Sequence, residues 1–550
     1  MRNLAKNTLQ HLRECGRACL DPPRPPASEE SEESQDARAL GWRVLRLFVL
    51  VLCLGVFVRS AWVSDDAFIA FRAMDNFTHG HGLVSNVGER VQAFTSPLWL
   101  LLLTPLHRLT DEAFFTPISL SLILSTVVAA LLVFKVPVRP VDGLVIGLMI
   151  PFSRALVDYA TSGLENPLMH CLAVLFLIVY FRAGTTRRAA FGLSLVAGLL
   201  FLTRMDTLLI TALPLLHYAV WTRRNRLLPH MALGLLPVFA WEAFSVLYYG
   251  FPFPNTAYAK LNVDVATGTL VVQGLGYLQD SLARDPLTLV VIVFALVASV
   301  ASRNLRAFAP MLGVLLYLVY LVKIGGDFMS GRFLTVPFVV ALAVLAAWIL
   351  PALPTRWSQG VAAVAALIVL SAPFNPVRPV VEPCSVPDHG ITDERSCYYD
   401  SNGLLRNAHR SDKGWTYQQQ KYWQAGVKKK EGAETVYEDS LIGFTGFAAG
   451  PRIHLVDPAA LTDPLLARIP FSKPNWRIGH FYRDVPKGYL ETLRTGENQI
   501  ESPCLRQYYD HLSLVVRGPI FSVRRFKAIL ALNFGTYDHL LAPSCDPPSS

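Results

Sequence analysis

The sequence predicts a polytopic α-helical membrane protein with about eleven spans and a C-terminal domain of mixed α and β structure outside the bilayer. The chain has 550 residues, of which 52% are hydrophobic and 17% are charged, and its mean hydropathy is +0.36. Soluble proteins carry about a quarter charged residues. Apolar runs recur up to residue 373, and the remainder is polar. This composition excludes a disordered chain, a collagenous chain and a small disulfide scaffold.

Each predicted span is an apolar run close to the length that crosses a bilayer, about 20 residues. One shorter run, at 97–109, contains Pro105 and is predicted to lie in the membrane interface instead. The spans are predicted at 44–62, 113–134, 142–160, 165–182, 189–203, 206–222, 228–248, 287–302, 307–323, 333–350 and 358–373.

The basic residues of the short loops set the orientation. With a cytoplasmic N-terminus, the loops on that side hold basic residues at 135, 139, 182, 187, 188, 223, 224, 226, 303, 306 and 356. Loop charge therefore explains the net charge of +9 without a nucleic-acid partner. We predict a disordered cytoplasmic tail at 1–43, a retained signal anchor as first span, a membrane domain at 44–373 and an extracytoplasmic domain at 374–550.

Cysteine usage fits an oxidising location for the C-terminal domain. Four cysteines, an even number, lie there: Cys384, Cys397, Cys504 and Cys545. They predict two disulfides, and of the three possible pairings the sequence-local one is favoured. Two runs in this domain, LIGFTGF and RIHLVD, are predicted to be strands.

Polar clusters at the span ends fall on the predicted outer face. They lie at 64–99, 161–166, 203–206, 251–260 and 323–333. Charged groups at membrane depth are costly and indicate function. Their convergence on one face predicts a single polar cavity.

Asp65 and Asp66 follow the first span directly. A partly desolvated carboxylate there suits a general base. The alternative is that one of them caps the next helix, with Arg72 as its counter-ion. Capping accounts for one aspartate, so we expect at least one of the two to be catalytic.

Three basic residues on the outer side, Arg204, Lys260 and Arg332, oppose the usual loop bias and suit a lipid phosphate. The alternative is structural ion pairing of Arg332 with Asp327 or of Arg204 with Asp206. Glu165 and Asp206 begin spans, where a carboxylate also favours the helix dipole.

Two further motifs are too weak to predict a metal site or a phosphate-binding loop. HGHG at 79–82 offers two histidines but no third ligand at a set spacing, so no metal ion or other cofactor is predicted. GFTGFAAG at 443–450 lacks the Lys-Ser/Thr of a phosphate loop and is predicted to be a turn between strands.

The ordered series of motifs resembles GT-C glycosyltransferases, and among them the terminal arabinofuranosyltransferase family of mycobacterial cell walls. The similarity runs from about residue 65 to residue 480, with TRMD and VDPAALTD departing from the forms common in that family. The motifs are DDAFIAFR, GHGLVSNVGERVQAFTSPLW, SGLE, TRMD, PNTAYAK, GGDFMSGRF, VDPAALTD and WRIGHF.

The resemblance implies inverting transfer of a pentofuranose or similar sugar from a polyprenyl-monophosphate lipid. It implies Asp65 or Asp66 as the base on the acceptor hydroxyl, and a phosphate site at Arg332, Lys260 and Arg204. Within the motifs, Arg72, Glu165, Asp206, Asn255, Asp327 and His480 are expected to bind substrate.

The acceptor class stays open between a cell-envelope glycan and a surface protein, and the expected location is the cytoplasmic membrane. The oligomeric state is not predicted. Two other function classes compete with the enzyme: a transporter, and a non-catalytic factor for envelope or motility assembly. Transporters usually show inverted repeats and broken mid-membrane helices, whereas the polar residues here gather at one face.

Overall fold

A computed structural model describes residues 32–222, 225–261, 263–371, 384–387, 389–471, 473, 476–542 and 544–545. The described chain is mostly helical. The helices up to residue 371 are α1 (Glu32–Ser60), α2 (Asp65–Thr78), α3 (Pro97–Thr110), α4 (Phe115–Ala130), α5 (Pro140–Met149), α6 (Arg154–Asp158), α7 (Asn166–Arg182), α8 (Arg187–Thr203), α9 (Leu208–Thr222), α10 (Leu228–Gly234), α11 (Leu236–Tyr248), α12 (Asn255–Leu261), α13 (Thr267–Arg284), α14 (Pro286–Ala301), α15 (Leu305–Lys323), α16 (Thr335–Val344), α17 (Leu350–Ala352) and α18 (Thr355–Ser371).

The C-terminal part is built from short elements. Its helices are α19 (Glu394–Asn402), α20 (Thr416–Gln419), α21 (Lys421–Glu431), α22 (Phe444–Ala449), α23 (Tyr489–Thr495), α24 (Pro503–Arg517) and α25 (Val523–Asn533). Its strands β1 (Val436–Glu438) and β2 (His454–Val456) pair in parallel, with Tyr437 opposite Leu455.

The predicted spans overlap helices in the described residues, although the span predicted at 142–160 is interrupted at Ser153, before α6. The chain is a multi-pass membrane protein. Among the described residues, four helices are long and apolar enough to cross a bilayer, or up to six if each of two bent pairs is one span. The interfacial run is the 14-residue helix α3, which contains Pro105. Of the predicted tail, residues 1–31 lie outside the described residues, and α1 already begins at Glu32, well before residue 44.

Helix α13 lies outside every predicted span. The 18-residue α13 carries an apolar face and a polar face, so it lacks the unbroken apolar run by which the spans were recognised. It meets α14 at a bend of 111°. The bend lies at Asp285, whose side chain caps α14 by accepting from the Thr288 amide.

The C-terminal domain confirms one strand prediction and corrects another. RIHLVD contains β2, whereas LIGFTGF does not form a strand, because its second half is helix α22. The predicted turn at 443–450 is likewise this helix, and it crosses from β1 to the parallel β2, a connection that a tight turn cannot make. The sequence-local disulfides are both present, joining Cys384 to Cys397 and Cys504 to Cys545.

Candidate active site

Hydrogen bonds to two distant parts of the chain hold residues 61–64, which connect α1 to α2. On the membrane side, the indole of Trp62 donates to the Asp158 carbonyl at 2.6 Å. On the other side, the Asn402 amide of α19 donates to the Val63 carbonyl at 3.0 Å. Ser64 then caps α2 with its hydroxyl. The first turn of α2, with its two aspartates, is therefore fixed between the membrane domain and the C-terminal domain.

Asp65 is an anchored carboxylate. Its Oδ1 accepts a hydrogen bond from the Phe444 amide at 2.7 Å, at the start of α22. The approach requires glycine at 443, because a Cβ there would lie 2.1 Å from the Asp65 carbonyl oxygen. Burial raises the pKa of Asp65 to about 7, although the Phe444 amide favours the charged form. Asp65 joins the two domains.

Asp66 has a different environment. Its side chain is partly exposed, and within the described ranges no hydrogen bond or ion pair engages its carboxylate. Burial raises the pKa of Asp66, while the nearby charges of Arg332 and Lys260 oppose that rise. A carboxylate that is partly desolvated and still available suits proton acceptance.

Glu165 joins two arginines from different parts of the chain. Its Oε1 lies 3.1 Å from Arg204 Nη1 and 3.1 Å from Arg332 Nη2. Arg204 also pairs with Asp206 at 2.6 Å. The guanidinium carbons of Arg204 and Arg332 lie 4.4 and 5.9 Å from the centre of the Phe333 ring. Two cations are thereby held close together by one shared carboxylate and one aromatic ring.

The loop from Asp327 to Arg332 contains buried polar atoms without a hydrogen-bond partner in the described structure. Arg332 Nη1 lies 3.9 Å from Asp327 Oδ2, so the expected Asp327 pair is looser than the pair with Glu165. Asp327 Oδ2 and Arg332 Nε are buried and have no hydrogen-bond partner in the described part of the chain. Buried polar atoms usually find partners. Two such atoms in one short loop mark a place that could bind a polar ligand.

Lys260 completes the basic side of this place. It lies in the last turn of α12 and its side chain is exposed. Its positive charge nevertheless opposes the rise in the pKa of Asp66, and only the charge of Arg332 opposes that rise more strongly. The Lys260 charge is therefore close enough to Asp66 to favour the charged form of that carboxylate.

We call these residues the charged cluster: Asp66, Glu165, Arg204, Asp206, Lys260, Asp327 and Arg332. They come from the five polar segments at span ends that the sequence singled out. The cluster combines one available carboxylate with three cations, and it lies where the C-terminal domain meets the membrane domain.

The C-terminal domain contributes side chains that sequence reasoning missed. Glu394, in the first turn of α19, is buried, and burial together with the charge of Asp66 raises its pKa to about 8. Arg477 donates to the Gly390 carbonyl at 2.7 Å and lies over Phe328 at 5.2 Å. The sequence does indicate where α19 begins, because Asp393 is a typical N-cap residue directly before Glu394.

His480 approaches the same region from the C-terminal domain. Its ring packs edge-on against Phe328, with 4.6 Å between the centroids. Burial and the positive charge of Arg477 lower the pKa of His480 to about 4. The imidazole is therefore neutral near pH 7 and lies beside the loop that carries Asp327 and Arg332.

Two expected substrate residues, Arg72 and Asn255, lie outside the charged cluster and bind backbone carbonyls. The Arg72 guanidinium is buried, and it donates to the carbonyls of Ser85 at 2.7 Å and Gly446 at 2.6 Å. It is therefore not the counter-ion of the aspartate pair. Asn255 donates to the carbonyls of Ala460 and Asp463, each at 2.9 Å. Both side chains bind backbone, because loops buried between domains need hydrogen-bond partners.

The histidine motif gains two further possible ligands, Asp75 on α2 and Asp111 at the end of α3. Donor atoms of Asp75, His79 and Asp111 all lie within 4.8 Å of one another. Such a set could hold a divalent cation. Asp75 is about 15 Å along α2 from Asp65, so this group is separate from the charged cluster.

Comparison with known proteins finds relatives of one kind. No protein-family model matches the chain. The chain is 27% identical over 357 residues to the terminal β-(1→2)-arabinofuranosyltransferase of Corynebacterium glutamicum, covering 55% of this chain and 51% of that protein. It is 30% identical over 338 residues to the Mycobacterium tuberculosis enzyme of the same name, covering 51% and 52%. The chain thus spans about half the length of the curated relatives it matches. These relatives confirm the resemblance found in the motifs.

Two solved structures are also similar. One is ArnT from Cupriavidus metallidurans bound to undecaprenyl phosphate, at 13% identity and a TM-score of 0.41, covering 78% of this chain and 77% of that one. The other is apo ArnT from the same organism, at 15% identity and a TM-score of 0.37 with the same coverage.

Proposed function

We propose that this chain is an inverting glycosyltransferase of the cytoplasmic membrane that uses a polyprenyl-monophosphate sugar. The observation that carries the proposal is the charged cluster: Glu165 binds Arg204 and Arg332, and the charges of Arg332 and Lys260 oppose the rise in the pKa of the partly exposed Asp66. The relatives' names support arabinofuranose as the sugar. The acceptor would be a hydroxyl of a cell-envelope glycan or a surface protein.

The chemistry assigns Asp66 as the base. The acceptor oxygen forms a bond to the anomeric carbon, and the bond from that carbon to the phosphate oxygen breaks. The electron pair leaves with the lipid phosphate, and the acceptor proton passes to Asp66. Attack from the face opposite the phosphate inverts the anomeric centre. Asp65 holds the first turn of α2 through the Phe444 amide.

The leaving phosphate would be stabilised by Arg332, Lys260 and Arg204. Negative charge develops on the phosphate oxygens as the bond breaks, and fixed cations at that place lower the barrier. Arg332 retains a buried Nε without a partner in the described structure, so it has a donor to offer without losing its pair with Glu165. We expect Asp327 and His480 to bind the sugar, and Glu165 and Asp206 to position the arginines.

The proposed topology places the N-terminus in the cytoplasm and residues 374–550 outside. The charged cluster then lies on the outer side, where lipid-linked sugars serve as donors because nucleotide sugars are not supplied there. Residues 44–373 would form the membrane domain that contributes the charged cluster. The basic residues of the short loops support this orientation.

The aspartate pair provides the test. Asp66→Asn keeps the shape but accepts no proton, and we expect a loss of about a hundred- to ten-thousand-fold in turnover. Asp65→Asn is the matched control: the amide oxygen still accepts from Phe444, so we expect a much smaller loss. Both purified variants are measured with a synthetic polyprenyl-phosphoryl arabinofuranose and an arabinofuranoside acceptor. Near-normal turnover of Asp66→Asn would remove this residue as the base.

A further inference from the structure

Helix α25, near the C-terminus, has two apolar faces. One is buried and includes Ala528 and Ile529. The other is exposed, and from Val523 onward its members recur every three or four residues, so they share one side of the helix. The exposed fractions are 80% for Phe521 just before the helix, 69% for Val523, 38% for Phe526, 59% for Leu530 and 82% for Phe534 just after it.

The buried face fixes α25 to the end of a membrane helix. Arg525 donates to the last carbonyls of α11, those of Leu247 and Tyr248, at 2.7 and 2.8 Å. At the other end of α25, Asn533 donates to the Gly250 carbonyl at 2.8 Å. The bent pair α10–α11 is apolar enough to count as one span. Helix α25 therefore lies at the level where this span leaves the hydrocarbon.

The surface around the exposed face suits lipid. On the end of α11, Phe244 is 37% and Leu247 36% exposed, and Phe253 beyond it is 49% exposed. The apolar surface of α25 thus adjoins the lipid-facing surface of a span. Arg524 and Lys527 are exposed on one flank of α25. Basic side chains beside an apolar face are typical of interfacial helices, whose charges reach lipid phosphates.

We propose that the exposed face of α25 inserts into the interfacial layer of the bilayer beside α11. Phe521, Val523, Phe526, Leu530 and Phe534 would lie among the upper acyl chains, with Arg524 and Lys527 at the headgroup phosphates. The C-terminal domain is then attached to the lipid surface at a point separate from its contacts at α19 and α22. This inference depends on α10–α11 spanning the membrane and does not depend on the catalytic proposal.

The experiment measures whether the exposed face of α25 lies in lipid or in water. Leu530→Cys is labelled with an environment-sensitive fluorophore in the full-length protein and reconstituted in nanodiscs of mixed neutral and anionic lipid. Cys15 and Cys19 are replaced by serine, and the buried free thiols Cys53 and Cys171 by alanine, so that position 530 carries the only free thiol. We expect a blue-shifted emission that is quenched by lipids spin-labelled high on the acyl chain and resists aqueous iodide. Glu497→Cys, in an exposed polar turn, is the matched control and should show the opposite pattern.

Two results would overturn the proposal. Iodide quenching of the Leu530 probe equal to that of the Glu497 probe would place the face in water. Protection from both quenchers would show that protein covers it, such as a second copy of the chain. A further variant separates docking from folding: Leu530→Asp with Phe534→Asp should abolish lipid quenching of a Val523→Cys probe without lowering Tm in detergent. Lipid quenching that persists in this variant would also contradict the proposal.

Discussion

Two pairs of arginines in different regions of this molecule differ in the partners they bind. In the charged cluster, Arg332 and Arg204 share the carboxylate of Glu165. At the contacts between the membrane and C-terminal domains, Arg72 and Arg525 instead donate to backbone carbonyls. When a guanidinium binds backbone carbonyls, its N–H donors are occupied in stabilising loops. One that is balanced by a carboxylate and retains a buried donor can still bind an anion.

This comparison explains why motif position was a poor guide to role. Arg72 and Arg332 both lie in motifs of the resemblance, yet the proposal gives only Arg332 a place at the donor phosphate. The type of partner separates the two residues: backbone carbonyls for Arg72 and a carboxylate for Arg332. The predictions below test whether that distinction has functional consequences.

We expect the largest effect when one arginine from each region, Arg332 or Arg72, is replaced by lysine. Arg332→Lys keeps the charge but loses the planar fork, so kcat/KM for the lipid donor should fall by about ten- to a hundred-fold with Tm nearly unchanged. Arg72→Lys leaves carbonyls without partners, so Tm should fall while kcat/KM of the folded protein stays near wild type. The distinction fails if both variants lose the same property.

A smaller effect should follow from removing the shared carboxylate. Glu165→Gln leaves Arg204 and Arg332 without their common counter-ion, and two like charges repel. We expect a lower Tm that added polyprenyl phosphate restores more strongly than in the wild type, because the phosphate replaces the lost charge. Thermal shift with and without the lipid measures this. A weaker response to the lipid than in the wild type would show that Glu165 itself supports phosphate binding.

The smallest effect concerns pH. Burial raises the pKa of Glu394 to about 8 from an ordinary value of 4.5. Between these values the folded protein holds a proton that the unfolded chain has released, so the free energy of unfolding falls as pH rises through this window. Glu394→Gln removes that term and should gain stability relative to wild type as pH increases. A difference that is constant with pH would mean that Glu394 is already ionised in the folded protein.

The membrane helices and most of the charged cluster were predictable from the sequence, because both depend on local patterns. Apolar runs marked the spans, and polar residues at their ends marked Asp66, Glu165 and Arg332. The roles of Arg72 and Asn255 were not predictable, because each binds a carbonyl more than two hundred residues away in the chain, Gly446 for Arg72 and Ala460 for Asn255. Helix α22 was mistaken for a strand for a related reason: its Gly443 and Gly446 are small because Asp65 and Arg72 pack against them.

The central claim is that the charged cluster binds the donor phosphate and that the carbonyl-bound arginines do not. Direct titration of undecaprenyl phosphate into purified wild type, Arg332→Gln and Arg72→Lys tests it. The account predicts an affinity lower by about ten- to a hundred-fold for Arg332→Gln, the equivalent of one charge-assisted hydrogen bond, and an unchanged affinity for folded Arg72→Lys. Equal affinity of wild type and Arg332→Gln, or a loss confined to Arg72→Lys, would contradict it.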